Sequence, residues 1–294
     1  MPVIGITLGD AAGIGPEIVA AALGSGKLDA RFEYRVIGET ADARPGEPTP
    51  ATARAALAAL EESARLLRAG EIAAVVTGPI HKARMQAEGF AFPGQTEFFA
   101  ARAGVEDFAM CLTGGALTVA LVTAHVPLRE VAGLLSAREI IRVGNLLAAF
   151  LTARLGRAPR IAVAGLNPHA GESGALGREE IEIIDPALIL LTHHPSPITP
   201  ATFTGPFSPD TVFNRALAGE FDGVLCMYHD QGLIPLKLHA FDTGVNVTLG
   251  LPFPRTSPDH GTAFDLAGKN LARPDSIIAA LRLAAALSAP PPSL

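Results

Sequence analysis

The sequence predicts an α/β protein whose largely parallel sheet is covered by helices. Short runs that are apolar on both faces recur along the chain, as is typical of buried parallel strands. Amphipathic segments with helical spacing lie between these runs, which is the alternation expected of an α/β fold. The chain has 294 residues, a length that commonly divides into two domains.

The strand candidates follow directly from the apolar runs. They are residues 3–8, 34–38, 73–78, 117–124, 160–167, 223–228 and 245–250. Each is bounded by polar or turn-forming residues, which favours a strand over a buried helix. Two Pro-rich segments, residues 39–50 and 193–210, are predicted to be loops.

Three amphipathic stretches carry start or stop signals for helices, at residues 16–23, 51–70 and 136–156. Pro16 lies in the first turn of the first stretch, where its missing N–H costs nothing. Gly70 is a terminator for the second. Ser136, followed three residues later by Glu139, matches a capping box and predicts where the third begins.

Composition and charge exclude several classes of function. The net charge is −6 and there is no basic tract, which argues against nucleic acid as the main partner. The apolar stretches reach only about ten residues, too few to cross a bilayer, and the N-terminus lacks a basic leader. We therefore expect a cytoplasmic protein without a membrane partner. Cys111 and Cys226 lie in apolar runs and are expected to be buried free thiols, although sequence alone does not exclude a disulfide.

Three apolar runs each deliver a histidine just past their last apolar residues: His125, His169 and His229. In open α/β sheets, ligands bind outside the carboxyl ends of the strands, so these side chains can converge although they are far apart in sequence. Imidazole is a common ligand of Zn²⁺, and three protein ligands with one open position describe a catalytic site. A strand-end histidine can equally be a hydrogen-bonded structural residue, and the spacing alone leaves both interpretations open.

A glycine cluster at residues 9–17 follows the first strand and opens a helix. Gly13 and Gly15 match part of a dinucleotide fingerprint, and Glu39 stands where a ribose-binding acid would. However, Ile18 occupies the position of the third glycine. The pattern therefore favours a tight strand-to-helix turn over a Rossmann site.

Seven motifs occur along the chain in this order: "GDAAGIGPE", "GPIHK", "FPGQTEFFA", "LVTAHVPL", "GLNPHAGESG", "MYHDQGLIPLK" and "GVNVTLGLPFPRTSPDHGTAFDLAGKN". This combination resembles the 4-hydroxythreonine-4-phosphate dehydrogenase family. Several relatives share the combination, including dehydrogenases for 4-phospho-threonate or 4-phospho-erythronate and for a terephthalate cis-dihydrodiol. Residues 259–284 are also similar to the adenine-binding segment of isopropylmalate and isocitrate dehydrogenases.

The resemblance implies two α/β domains with the active site in the cleft between them, as in isocitrate and isopropylmalate dehydrogenases. Residues 1–100 and 245–294 would form the terminal domain, which carries the cofactor segment. Residues 101–244 would form the middle domain, which carries the metal ligands and the dimer interface. The resemblance further implies a homodimer whose active site is shared between the two copies.

Matched motif by motif, the resemblance assigns roles to individual residues. The metal ligands fall on the same three histidines that the strand ends indicate. The implied substrate-binding residues are Thr96, Lys237, Asn246 and Arg255, together with Gln95, where the family has a histidine. The implied cofactor-binding residues are Asp259, His260, Gly261, Thr262 and Asn270. Asp230 is a candidate for accepting the hydroxyl proton, with a metal-bound water as the alternative.

The implied reaction is the metal-dependent oxidation of the secondary alcohol of 4-phosphohydroxy-L-threonine, a small phosphorylated substrate, by NAD or NADP. The product would be a β-keto acid that loses CO₂, a step in pyridoxal phosphate biosynthesis. Zn²⁺ is the favoured metal, with Mg²⁺, Mn²⁺ and Co²⁺ as alternatives. Because Gln95 cannot carry the positive charge of a histidine, a related substrate such as 4-phospho-threonate, 4-phospho-erythronate or an aromatic cis-dihydrodiol stays open. A non-catalytic metal- or nucleotide-binding protein is the alternative from another class.

Overall fold

The computed structural model describes residues 1–40, 42–193 and 200–289 and confirms the predicted α/β class. The chain divides into two compact units. Residues 1–106 and 242–294 form the first unit, and residues 107–241 form the second. Within the described ranges, no helix is both long enough and apolar enough to cross a membrane.

The described strands and helices follow one another along the chain with two irregular turns, Pro168–Gly174 and Glu180–Ile184, between β6 and α7. In chain order they are β1 (Val3–Thr7), α1 (Gly15–Leu23), β2 (Glu33–Ile37), α2 (Pro50–Arg68), β3 (Ala74–Thr77), α3 (Lys82–Ala87), α4 (Gln95–Ala103), β4 (Ala109–Gly114), β5 (Leu117–Leu121), α5 (Leu128–Leu134), α6 (Ala137–Leu155), β6 (Arg160–Ala164), α7 (Asp185–His193), β7 (Thr202–Phe207), α8 (Val212–Leu217), β8 (Gly223–Cys226), α9 (His229–Ala240), β9 (Val245–Leu249), β10 (Arg255–Pro258) and α10 (Asp275–Ser288).

In the first unit the strands lie in the order β2-β1-β3-β10-β9. β1 is parallel to β2 and β3, and β3 is parallel to β10, whereas β9 and β10 are antiparallel. The carboxyl ends of β1 and β3 therefore meet at one edge of this sheet.

In the second unit the strands lie in the order β4-β5-β8-β6-β7. β8 is central and parallel to both of its neighbours, with Val224 opposite Val119 of β5 and Gly223 opposite Ile161 of β6. The residues that follow β5, β8 and β6 consequently leave the sheet at the same edge.

All seven predicted strands are present; β2 begins and ends one residue earlier than predicted, and the other six are shorter than predicted. Three further strands, β4, β7 and β10, were not predicted because Gly, Pro, Ser or Thr interrupt the apolar pattern in β4 and β7, and β10 has no apolar run. The prediction that residues 193–210 form a loop is wrong over β7, and residues 194–199 lie outside the described residues. β7 is at the end of the strand order, where Pro206 is tolerated because an edge strand can lack one N–H donor.

The glycine cluster forms the tight turn that the sequence favours. A Cβ placed on Gly15 would lie 1.8 Å from the carbonyl oxygen of Leu8, and one on Gly13 would lie 2.6 Å from that of Thr262. The N–H of Ile14 donates to the Thr262 carbonyl at 2.9 Å. Close backbone approach therefore accounts for both glycines.

The predicted helix-capping and helix-terminating residues lie at the helix ends that the sequence indicates. The Ser136 hydroxyl accepts a hydrogen bond from the N–H of Glu139 at 3.3 Å and caps α6. Gly70 follows α2 with a φ of 68°. A cap that the sequence did not predict lies at the other end of α2, where Thr49 and Thr52 exchange reciprocal hydrogen bonds.

Each unit has its own hydrophobic core. The first core packs α2 and the phenylalanines of the α4 region, including Phe98 and Phe99, against the sheet. The second packs β5, β8, α8 and α9. Cys111 and Cys226 are buried and free, as predicted, and burial raises the pKa of the Cys111 thiol to about 12, which keeps it protonated.

Candidate active site

The three strand-end histidines lie on the segments that leave β5, β8 and β6 at one edge of the second unit. His125 follows β5, His229 is the first residue of α9 after β8, and His169 lies in the turn after β6. The hydroxyl of Thr123 donates to the carbonyl of Met227 at 2.7 Å, which joins the segments after β5 and β8. The parallel pairing predicted from the apolar runs thus brings these segments together.

His125 and His229 form a pair. Their ring centroids lie 5.5 Å apart with the ring planes inclined by 45°. Both rings line a cavity of about 410 Å³ whose remaining wall is mostly apolar. The other lining residues are Ala124, Val126, Leu128, Val131, Tyr228, Asp230 and Ile234. The two imidazoles therefore present ring nitrogens to a ligand in a cavity that has few other polar groups.

Helix α9 carries two further predicted residues. One carboxylate oxygen of Asp230 lies 2.7 Å from Nδ1 of His229, so this carboxylate orients the imidazole. The Asp230 side chain is 68% exposed. Lys237 lies about two turns further along α9 and is half-buried.

His169 lies in a left-handed stretch of backbone. From His169 to Ser173 the φ values are 54°, 53°, 80°, 43° and 57°, and only the third residue is glycine. Each non-glycine residue in this conformation costs about 1–2 kcal/mol. We call residues 166–174 the His169 turn. Such a turn persists only when surrounding groups hold it.

The carboxylate of Glu180 holds the His169 turn. One of its oxygens accepts hydrogen bonds from the N–H groups of Leu166 and Asn167, both at 2.8 Å, and the other accepts from the Asn167 amide at 2.9 Å. Glu180 is only 2% exposed. These charge-assisted bonds offset part of the strain in the turn.

The three histidines match a divalent-metal site in their chemistry but only partly in their placement. His125 and His229 are close enough to act together. The exposed His169 ring lies near Asp210, whose pKa is lowered chiefly by a hydrogen bond from Ser208 and least by the charge of His169. Within the described residues, no group of three His, Cys, Asp or Glu side chains is placed to hold a metal ion. Among the predicted ligands, the observed ring contact is the one between His125 and His229.

The second candidate region surrounds Arg255 in the first unit. Arg255 begins β10, is 3% exposed, and donates to the hydroxyls of Thr77 and Thr248 at 2.7 and 3.2 Å. It also donates to the side-chain carbonyl of Gln95 at 3.1 Å and to the Thr96 hydroxyl at 3.5 Å. Burial lowers the pKa of Arg255 to about 10, although the charge of a nearby glutamate acts in the opposite direction.

None of the hydrogen-bond partners of Arg255 in the described part of the chain is a carboxylate. Its Nε atom is buried without a hydrogen-bond partner there, and the same is true of the side-chain oxygen of Asn246 on β9. A buried cation without a carboxylate partner is suited to an anionic ligand.

The predicted cofactor segment packs against the glycine turn of the first unit. The Thr262 carbonyl accepts from Ile14, and the N–H of Gly268 donates to the Glu17 carboxylate at 3.0 Å. His260 contacts the carbonyl of Gly261 through Nδ1 at 3.1 Å, and its Nε2 is buried without a partner in the described residues. The N–H of Asp259 donates to the hydroxyl of Ser276 at 3.2 Å, and Asn270 has a φ of 54°.

Sequence reasoning missed several residues of these regions. The hydroxyls of Thr77 and Thr248 on Arg255 carry no signal, because threonine is ordinary in a strand. Glu180 stands beside another glutamate in a charged stretch that predicts an exposed face. Gln231 lies in the motif "MYHDQG", and its position just after a strand end was the signal available in the sequence.

A model of the family described as pyridoxal phosphate biosynthetic protein PdxA matches residues 18–284. A 4-hydroxythreonine-4-phosphate dehydrogenase from Desulfosudis oleivorans is 44% identical over 325 residues, covering 96% of this chain and 95% of that protein. The similarity thus extends over nearly the whole length of both chains.

Solved structures show the same likeness. A 4-hydroxythreonine-4-phosphate dehydrogenase from Klebsiella pneumoniae superposes with a TM-score of 0.83 at 34% identity, covering 98% of this chain and 100% of that chain. A terephthalate 1,2-cis-dihydrodiol dehydrogenase from Burkholderia xenovorans gives 0.69 at 30% identity, covering 97% and 98%. An isocitrate dehydrogenase from Methylococcus capsulatus gives 0.50 at 17% identity, covering 98% and 85%. This last likeness concerns the fold alone and agrees with the predicted isocitrate dehydrogenase-like α/β fold.

Proposed function

The chain belongs to the family described as pyridoxal phosphate biosynthetic protein PdxA, and from that premise we propose that it is a 4-hydroxythreonine-4-phosphate dehydrogenase. It oxidises the secondary alcohol of 4-phosphohydroxy-L-threonine with NAD or NADP. The product is a β-keto acid, which loses CO₂. The reaction belongs to pyridoxal phosphate biosynthesis.

The observation that carries this proposal is the environment of Arg255. A guanidinium that is 3% exposed and hydrogen-bonds only to uncharged side chains among the described residues can bind an anionic ligand directly. A phosphate supplies that charge, and its oxygens match the donors of a guanidinium. Gln95, Thr96 and Asn246 would contribute hydrogen bonds to the same substrate, and Lys237 a second cation.

The cofactor accepts the hydride, and the protein supplies its binding and orientation. We assign cofactor binding to Asp259, His260, Gly261, Thr262 and Asn270. The hydrogen bonds of Thr262 and Gly268 support the assignment because they hold this segment against the glycine turn that follows β1.

We assign a divalent metal ion to His125, His169 and His229, with Zn²⁺ favoured and Mg²⁺, Mn²⁺ or Co²⁺ as alternatives. The proximity of His125 and His229 supports this assignment. When bound, such an ion supplies a Lewis acid for the substrate oxygens. Asp230 keeps the His229 ring oriented through one carboxylate oxygen, and we assign the other oxygen to the hydroxyl proton of the substrate.

We also propose that the protein acts as a homodimer in which the second copy completes the site. Apolar side chains on α5 and α9 support this proposal, because Leu128, Ile234 and Leu238 are 70%, 58% and 84% exposed. Exposed apolar residues grouped on one face are typical of a protein–protein interface. Leu128 and Ile234 also line the cavity that contains the histidine pair.

The test is reduction of NAD or NADP by the purified protein with 4-phosphohydroxy-L-threonine, followed by absorbance with and without a chelator. Zn²⁺, Mg²⁺, Mn²⁺ and Co²⁺ are added back separately. Turnover that the chelator abolishes and one metal restores supports the proposal. A folded, metal-loaded dimer without turnover would overturn the substrate assignment.

A second candidate is a related dehydrogenase acting on 4-phospho-threonate, 4-phospho-erythronate or an aromatic cis-dihydrodiol. Gln95 favours it, since the amide cannot add charge at the anion site. The likeness to the terephthalate dihydrodiol dehydrogenase also supports it. The same assay with these compounds distinguishes the two candidates by their kcat/KM values.

A further inference from the structure

We propose that the buried side chains of Gln231 and Glu180 are positioning residues that fix the His169 turn relative to the segment carrying His229. We call this pair of side chains the brace. The inference deepens the proposed function and rests on it, because the brace matters for catalysis only if these histidines serve the reaction.

Gln231 joins the ends of two neighbouring strands with a single side chain. Its carbonyl oxygen accepts from the N–H of Met227, just after β8, at 2.7 Å. Its amide nitrogen donates to the carbonyl of Gly165, just after β6, at 2.7 Å. The residue is 6% exposed, so water cannot readily replace either bond.

Glu180 continues the connection from Gly165 into the His169 turn. The two residues after Gly165 both donate their N–H groups to one carboxylate oxygen at 2.8 Å. The other oxygen fills the inside of the turn, where a Cβ on Gly171 would approach it to 2.7 Å. The carboxylate that sets the position of His169 therefore belongs to a residue that is not part of the His169 turn.

The segment after β5 is tied into the same line of contacts. Thr123 donates to the carbonyl of Met227 through its N–H at 3.1 Å and its hydroxyl at 2.7 Å. The segments that carry His125, His229 and His169 are thus linked through Thr123, Met227, Gln231 and Gly165. Reacting groups misplaced by about 1 Å can lose about 100-fold in rate, so such links matter for the chemistry.

Two substitutions remove parts of the brace with little change in side-chain volume. Gln231→Glu keeps the acceptor for Met227 but loses the donor to the Gly165 carbonyl. Glu180→Gln removes the charge and places an amide N–H₂ against the Asn167 amide. The matched controls make the same chemical changes on exposed residues: Gln86→Glu, in the other unit, and Glu182→Gln, two residues from Glu180.

The first measurement is hydrogen exchange of the metal-free proteins, detected by mass spectrometry. In Gln231→Glu and Glu180→Gln, peptides covering residues 165–176 should exchange about tenfold faster than in wild type. The second is titration with Zn²⁺ alone against a chromophoric chelator, where we expect binding to weaken by about 10–100-fold. In steady-state assays kcat should fall while the KM for NAD stays unchanged, and both controls should behave as wild type.

Exchange and Zn²⁺ affinity equal to those of the controls, in variants that remain folded, would overturn the brace. If Glu180→Gln does not fold, Gln231→Glu decides, since it leaves the Glu180 contacts in place. Failure of the brace alone leaves wild-type Zn²⁺ binding and turnover intact. Wild-type protein that neither binds Zn²⁺ nor reduces the cofactor overturns the proposed function, and with it the catalytic role of the brace.

Discussion

Gln95 and Arg255 are joined by a hydrogen bond in which the guanidinium donates to the side-chain carbonyl across 3.1 Å. The amide nitrogen of Gln95 donates in turn to the carbonyl of Gly78, also at 3.1 Å. A neutral imidazole has one acceptor and one donor nitrogen and can make the same two contacts, whereas an imidazolium can only donate. With glutamine at this position, the hydrogen bonds to Arg255 and Gly78 do not depend on pH. With histidine there, the contact with Arg255 would be lost on protonation of the ring.

We predict that Gln95→His makes binding of the phosphorylated substrate sensitive to pH. At pH 8 the imidazole is neutral and replaces the amide, so the KM should resemble that of wild type. Near pH 6 the bound phosphate favours a protonated imidazole over the opposing charge of Arg255, and the added charge should lower the KM several-fold. Steady-state kinetics at both pH values test this.

The control for this substitution is Gln86→His, on the exposed surface of α3, which should leave both KM values unchanged. Equal KM values for Gln95→His at pH 6 and pH 8 would mean that residue 95 does not face the phosphate.

Arg255→Met should weaken substrate binding without a large loss of stability. The variant loses charge-assisted hydrogen bonds to the substrate, so kcat/KM should fall by about 10²–10³-fold. Thermal unfolding should occur close to the wild-type temperature, because removal of a buried charge offsets the loss of its hydrogen bonds to the Thr77 and Thr248 hydroxyls.

The matched control is Arg102→Met in the same unit. Arg102 pairs with Glu61 through two hydrogen bonds and lies over the rings of Phe92 and Phe98. Its loss should lower stability by about 1 kcal/mol and leave kcat/KM unchanged. An Arg255→Met protein that melts well below wild type would show that Arg255 serves the fold rather than the substrate.

The sequence was informative about the fold wherever one physical signal dominated. Strands such as β3 and β8 are buried throughout, and their apolar runs identify them. β10 has the sequence "RTSP", which has no strand pattern, and it forms a strand because β3 and β9 lie on either side of it. Tertiary pairing of this kind cannot be deduced from local residues.

The candidate site was likewise predictable from the sequence only in part. The strand-end argument predicted that His125 and His229 converge, and their rings are close because parallel pairing brings their segments to one edge. It could not foresee the left-handed His169 turn, because only Gly171 and Gly174 favour positive φ there and the sequence does not show which neighbour holds the rest. The role of Glu180 depends on a contact between residues thirteen and fourteen positions apart.

His169→Asn tests the third predicted metal ligand without adding strain, because asparagine tolerates the left-handed conformation. We expect unchanged stability toward urea. Loss of a residue that only supports a metal ligand lowers metal affinity or activity by about 10–100-fold. Loss of the ligand itself should lower Zn²⁺ affinity and kcat at least as much. His193→Asn, at the exposed end of α7, is the control and should have no effect. Wild-type turnover in His169→Asn would remove this residue from the metal site.

Asp222→Asn should weaken the fold in a pH-dependent way while leaving turnover intact. Asp222 precedes β8, at the end of that strand opposite His229, and accepts two hydrogen bonds from Arg157 and others from Arg160. The hydrogen bonds from Arg157 are the largest cause that holds its pKa well below the ordinary value of 3.8. The ionised carboxylate therefore stabilises the folded state above about pH 4, and this contribution is lost as pH falls below that value.

Urea unfolding should show the variant less stable by about 1–3 kcal/mol at pH 7, with the difference narrowing between pH 4 and pH 2.5. Asp29→Asn should lose less stability at pH 7 than Asp222→Asn, because its partner Arg31 is 77% exposed and water screens the pair. A difference that stays constant down to pH 2.5 would mean that the charge of Asp222 is not the source of the stabilisation.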